Sequence, residues 1–445
     1  MVGVVARRAR VAVTVLFAVN GAAYAVVVPW YPQVQDAGQV SAAGWGVALA
    51  GYPVGTLAAG LPAGWLVRRC GSAWPLCIGI VALAAVNATF ALVDGLWGLL
   101  LVFGVLGCLD AVIEVSASVQ ALAVQARYRR WLLNSCHAAW SVGAIGGGLL
   151  GAVAVGGGLP LRVFLPAVAA GVAVLVAALR PLLLPDDHRS PDAPPGSSRA
   201  GGEVGPSAGE RLRRYRVLLV LGGIAACGAF VEDVPASWGA IWLDDGVHAA
   251  AGLAGGAVVA AQAAMAAGRA VGDRLSDRFG SRLVVRAGAL LAAGGMTSAV
   301  AWPSVTSVLA ASAVCGLGVA VVIPAAVDQA GTLSQAASAV TVLSMMQRIG
   351  PLASPLAIGV LAEHVSLRAA LLTVPAVAAG LWVLARLLPG PPALRRTPPP
   401  PVPGPAAADT ARAPGTGPAR LPSPRTRGRP PAVPADRRRH PGGER

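Results

Sequence analysis

Asp110 and Glu114 stand four residues apart inside an apolar run that extends over 95–125. On a helix this spacing puts both carboxylates on one face. Two carboxylates so close repel when both are ionised, which suits the site to holding a proton. Glu232 and Asp233 are neighbours in a later apolar run, so they point to different faces. Arg348 lies deep in another run, where Asp328, Glu232 or Asp233 can supply its counter-charge. A charge in hydrocarbon costs at least about 2.5 kcal/mol unless it faces a cavity or a partner. Each of these groups is therefore a candidate for proton coupling or solute binding. The competing readings are structural, a shallow, wet Asp110 and a packing ion pair at Arg348; the functional reading of Arg348 is a clamp for a solute carboxylate. Asn20 and Tyr24, at i and i+4, and Gln262 can line the same cavity or serve as interhelical hydrogen bonds. Trp238 and Trp242 read as interface aromatics.

Such groups need helices that place them inside a membrane. The 445-residue chain is 55% hydrophobic and 12% charged, with a mean hydropathy of +0.65. Soluble domains carry about 25% charged residues. Twelve apolar segments, each near the roughly 20 residues that span a bilayer, fall at about 10–32, 43–67, 73–93, 95–125, 133–156, 160–184, 217–243, 250–272, 283–302, 304–329, 338–360 and 367–388. The expected fold class is an all-α membrane protein of two six-helix bundles. The expected organisation is 1–184 for the first bundle, 185–216 for a Pro/Gly/Ser-rich linker, 217–389 for the second bundle and 390–445 for a disordered Pro/Arg-rich tail. The run after Arg7, Arg8 and Arg10 continues to Trp30, so it reads as an uncleaved first span rather than a signal peptide.

The net charge of +15 is not a nucleic-acid signal. Residues 391–445 hold eleven arginines against Asp409, Asp436 and Glu444, a net of +8 in the tail alone. Further arginines sit in alternate connections: Arg68 and Arg69, Arg127 to Arg130, Arg211 to Arg216, and Arg274 to Arg286, with Arg162 and Arg368 the only arginines near the intervening ones. The intervening connections carry Asp36, Asp94, Asp244, Asp245 and Glu363. Positive charge collects on the cytoplasmic side, so both termini and the linker are expected inside a cytoplasmic membrane. The six cysteines show no ligand spacing, and no metal or cofactor is expected. No phosphate-cradling loop or nucleophile–base constellation points to an enzyme.

A shift of 209 places Leu66–Ser72 on Leu275–Ser281 and Gly107 on Gly316, as a duplicated six-helix unit predicts. The second copy lies in a dense polar stretch: Gly268, Arg269, Gly272, Asp273, Arg274, Asp277, Arg278, Gly280 and Arg282. Gly268 and Gly272 make a smooth helix face for close packing. Gly280 permits a tight turn. Asp277 falls where a carboxylate can meet the positive end of the eleventh helix near Ser338. The stretch closely resembles the signature loop of the major facilitator superfamily, and with the six-plus-six layout the resemblance covers about 8–388. It implies a secondary transporter working by alternating access, with the loop gating the cytoplasmic side. It implies a small-molecule substrate, protons as a coupling partner, the lipid bilayer as surroundings and a monomer. Drug or metabolite efflux by antiport, and a transporter-derived sensor or scaffold, are the alternatives. The first copy departs from the pattern, with Arg68 in the place of Asp277. Gly143-Ala-Ile-Gly146 resembles a glycine-rich antiporter motif but has Ala144 where its proline belongs.

Overall fold

The long apolar runs leave the backbone one way to satisfy its polar groups without water, and that is the helix. In a computed structural model, residues 4–128, 132–185, 208–331, 333 and 336–388 are described. All regular elements among them are helical. The first half holds α1 (Val4–Ala25), α2 (Ala42–Cys70), α3 (Ala73–Ala88), α4 (Gly95–Tyr128), α5 (Leu133–Gly156) and α6 (Leu161–Leu179). The second holds α7 (Ala208–Ser237), α8 (Gly256–Phe279), α9 (Ser281–Ala301), α10 (Val305–Val319, resuming as Val322–Gly331), α11 (Ala336–Gln347 and Ile349–His364) and α12 (Leu367–Ala370 and Thr373–Leu384). All described residues belong to one unit within Met1–Ala393. The tail expected at 390–445, and residues 186–207 of the expected linker, lie outside the described residues.

Eleven helices among the described residues are long and apolar enough to cross a membrane. The twelfth position belongs to α11, whose two pieces of 12 and 16 residues meet at Arg348. The interruption follows from Pro351. A proline removes the hydrogen bond to the carbonyl four residues back and clashes with it, and that carbonyl belongs to Gln347. The Arg348 amide instead reaches Met345 O at 3.2 Å. α7 starts at Ala208, nine residues ahead of the boundary at 217. Its first turns, Arg211 to Arg216, are too polar to register as a span but are still helical.

Outward faces are greasy: Leu61, Leu92 and Trp97 are more than three-quarters exposed. Such a surface suits lipid rather than water. Serines stop fraying at several helix starts. Ser41 accepts from Gly44 N at 3.2 Å at the start of α2, and Ser304 and Ser307 form a reciprocal box at the start of α10.

The 209-residue repeat is physical. Gly71 ends α2 with φ +77° and Gly280 ends α8 with φ +81°, a left-handed conformation that glycine adopts without strain. Gly107 and Gly316 also match. A Cβ on Gly107 would meet Tyr52 O at 2.0 Å, and one on Gly316 would meet Ala261 O at 2.2 Å. Tyr52 and Ala261 are themselves 209 apart.

The two halves meet along α2 against the second piece of α11, and along α5 against α8. Both contacts lie at the end that carries Asp36, Asp245 and Glu363. Glycines make them close: a Cβ on Gly46 would lie 2.2 Å from Pro355 O, and one on Gly156 2.8 Å from Gly252 Cα. Trp238 and Trp242, expected as interface aromatics, are instead 1% and 3% exposed. After α7 the helical path is carried on through Gly239–Ile241 and Trp242–Gly246, with Trp238 N bonded to Val234 O and Trp242 N to Trp238 O, and both rings lie in the core.

Candidate functional site

Between the halves lies a cavity of about 420 Å³. α1 presents Asn20 and Tyr24 to it, α4 Asp110 and Glu114, α7 Glu232 and Asp233, and α8 Gln262 and Arg269. At its end nearer the acidic side, Tyr31, Leu49 and Phe103 are buried. At the other, Glu114, His137 and Arg269 are exposed. The cavity therefore opens toward the arginine-rich end, where Arg68, Arg69, Arg274 and Arg278 lie.

Two ion pairs organise the charges. Arg348 Nη2 donates to Glu114 Oε2 at 2.9 Å, joining α11 of one half to α4 of the other. The partner is none of the three acids the sequence offered, because register between halves is not visible in either run. Arg269 stands 3.5 Å from Glu232 within the second half. It belongs to the polar stretch of the signature loop, yet its guanidinium reaches the cavity. α8 continues unbroken from Gly256 to Phe279, so Arg269 sits well inside it. The other two acids form no ion pair among the described residues. Ser354 of α11, itself fully buried, donates a short hydrogen bond to Asp233. Asp110 lies beside Tyr52 and Asn20. Four carboxylates thus face two guanidinium groups, across walls of Phe17, Tyr24, Tyr31, Tyr52, Phe103 and Trp140.

At the loop, Gly268 and Gly272 face α10. A Cβ on the first would meet Ala320 Cβ at 2.7 Å, and one on the second Val321 Cγ2 at 2.8 Å. Arg282 Nε donates to Leu388 O at 2.7 Å, tying the start of α9 to the end of α12. Arg274, Asp277 and Arg278 are exposed, and Arg278 leans over the Phe279 ring at 5.2 Å. Asp277 has no ion-pair partner among the described residues. The side chains of Asp273 and Ser338 fall outside what the structure describes.

One polar contact between halves was not foreseen. At the acidic end the Ala43 amide donates to Glu363 Oε2 at 3.1 Å. A carboxylate from α11 thereby caps the positive start of α2. The bond from Ala43, with help from the Ser41 side chain, holds the Glu363 carboxyl below its ordinary range. A group whose pKa is depressed by a contact contributes its stabilisation above its free pKa, about 4.3 for glutamate, and loses it as pH falls through the lowered value. The seam between α2 and α11 should therefore loosen as pH falls below the free carboxylate range. Labelling of an Ala42→Cys thiol is expected to rise in that range, and to show no such rise in Glu363→Gln. Identical pH profiles in both proteins would remove the cap from the account.

Two six-helix halves around a polar cavity define a solute-transporter architecture. The chain belongs to the Major Facilitator Superfamily, whose family model matches residues 13–245 and 233–427. It is 28% identical over 277 residues to the uncharacterized transporter y4wD of Sinorhizobium fredii, covering 62% of this chain and 70% of that protein. It is 36% identical over 107 residues to membrane protein MosC of Rhizobium meliloti, covering 24% and 26%. The crystal structure of nucleoside transporter NupG superposes with a TM-score of 0.64 at 12% identity, covering 86% of this chain and 98% of that one. A bacterial homologue of the human lysosomal transporter Spinster, inward-facing and occupied, gives 0.66 at 15%, covering 85% and 96%. At such identities the last two likenesses concern the fold alone. The protein is a multi-pass membrane transporter of this superfamily.

Proposed function

We propose that the protein moves a small solute across the cytoplasmic membrane by alternating access, coupled to protons, with both termini cytoplasmic and without covalent chemistry. The observation that carries this reading is the Glu114–Arg348 pair. It ties α4 of one half to α11 of the other beside the cavity, so any rocking of one half against the other acts on it directly. A proton or a charged solute group arriving at Glu114 releases Arg348. Asp110, one helical turn away on the same face, and Glu232 are the companion proton sites, while Asn20, Tyr24, Asp233, Gln262 and Arg269 contact the solute. Four acids, two arginines and aromatic walls suit a ring-bearing solute that is neutral or cationic rather than an anion. The chain acts as a monomer in the bilayer, with no nucleic-acid partner. Export by antiport remains the second direction, favoured by the glycine run Gly146–Gly148 in α5.

The test is a flux experiment with a defined pool. Proteoliposomes holding the purified protein are given a small-molecule extract and an imposed pH gradient, and the lumen is analysed by mass spectrometry. Accumulation or depletion of a compound only when the gradient is present supports the reading. Inserted, monodisperse protein that moves nothing in either direction favours a sensor or scaffold.

The signature loop gates the arginine-rich side, and only its second copy carries the carboxylate. Asp277→Asn is therefore expected to reduce transport several-fold, while Arg68→Gln changes it less than twofold, with both proteins inserted normally. Equal losses in the same flux assay would remove the asymmetric gate.

A further inference from the structure

We propose that the foot of α9 and α12 at the arginine-rich end is a binding site for the phosphate headgroup of an anionic phospholipid. Three arginines converge there. The guanidinium carbon of Arg286 lies 4.1 Å from the centroid of the Trp382 ring, and that of Arg386 lies 4.4 Å from the same centroid. Arg282 is held beside them through Leu388. Neither α9 nor α12 contains an Asp or Glu. None of the three arginines has a carboxylate partner among the described residues. Two guanidinium groups on one indole, neither with a carboxylate partner among the described residues, concentrate positive charge that a phosphate nearby would offset. Arginine's planar fork fits phosphate oxygens in pairs. Arg286 Nε is buried and without a hydrogen-bond partner.

The neighbouring surface tells lipid from free phosphate. Leu283 and Leu290 on α9, and Val383 and Leu387 on the α12 side, are each more than half exposed. A headgroup held by the arginines leaves its acyl chains to run over these side chains. Basic pockets between helices on the cytoplasmic side are where anionic headgroups bind. The other half repeats the device with the partners exchanged. Arg180, just past α6, lies 3.6 Å over Trp74 of α3, beside a cavity of about 380 Å³. That copy has a single stacked arginine and should bind more weakly.

The proposal stands apart from the transport reading, so its test measures binding. The full-length protein, purified in neutral detergent and delipidated, is titrated with phosphatidylglycerol, with phosphatidylcholine of the same chains, or with inorganic phosphate, and bound lipid is counted by native mass spectrometry. Phosphatidylglycerol should bind at least tenfold more tightly than phosphatidylcholine. Arg286→Gln/Arg386→Gln should remove about tenfold of that preference and leave phosphatidylcholine unchanged. Arg7→Gln/Arg8→Gln, at the same end of the molecule, should not alter it. Arg386 is exposed on a terminal turn, so Arg386→Gln alone, which disturbs only its contact with Trp382, should still cost at least threefold. Equal binding of the two lipids, wild-type preference in both variants, or competition by inorganic phosphate at equal concentration would each overturn the site.

Discussion

Glu114→Gln and Arg348→Gln should each reduce gradient-driven transport by more than tenfold, and the double variant should be no worse than either single one. Glu114 is 51% exposed and Arg348 27%. An ion pair that wet contributes at most about 1 kcal/mol to stability. Neither substitution should unfold the protein or block insertion. A tenfold loss of rate corresponds to about 1.4 kcal/mol in the limiting barrier. On the proposed cycle it comes from the exchange of that pair as the halves move. On that proposal, removing Glu114 removes the proton acceptor. Removing Arg348 leaves Glu114 without the group it exchanges for that proton. Both changes delete one exchange, so their losses should not add. Proteoliposome flux for the four proteins gives the cycle directly. Additive losses would show that the two residues act separately, and that the pair is a packing device.

Gly46→Val should drive the protein out of the conformation with its acidic end closed. The clash with Pro355 O is against backbone, so no rotamer change relieves it. Overpacking of this kind costs typically 1–3 kcal/mol, and roughly 1.4 kcal/mol is tenfold in an equilibrium. The substitution acts between halves rather than within one, so the halves can separate there without either unfolding. Disulfide trapping between Ala43→Cys and Glu363→Cys, in a cysteine-free background, reads the closed seam. Its yield should fall about tenfold with Gly46→Val. Gly171→Val is the control, since a Cβ there meets nothing within 4 Å. Unchanged trapping with Gly46→Val would mean that α2 and α11 are not the closing contact.

The sequence carried the spans and the repeat because both are patterns of composition and spacing. The broken α11 was also legible, since Pro351 and Pro355 stand in the eleventh segment and the bend falls where a proline must place it. The in-membrane polar groups converge because few helix faces can hold them. Pairings were not legible. Arg348 finds Glu114 across 234 positions, and Glu363 finds Ala43 across 320. Nothing local specifies either, since both depend on how one half rotates against the other. The start of α7 escaped for the opposite reason: its arginines form a helix that polarity alone reads as linker. Arg269 was grouped with the loop by its polar neighbours, whereas helical continuity through Gly272 carries it into the cavity.

The glycine seams at the acidic end have a consequence for leak. Backbone touches backbone at Gly46 and Gly359, where a Cβ on Gly359 would meet Ala42 O at 2.6 Å. Apart from the Glu363 carboxylate on Ala43, the contact there is backbone on backbone. Dispersion contacts forfeit about a quarter to a half of their strength over a 0.5–1 Å gap. An ajar arrangement therefore keeps little of the attraction of the shut one and gains none of the freedom of the open one. That end of the protein should therefore behave as a latch with two positions, and a membrane holding it should be spared the slow short-circuit of its ion gradient that a half-open path would cause.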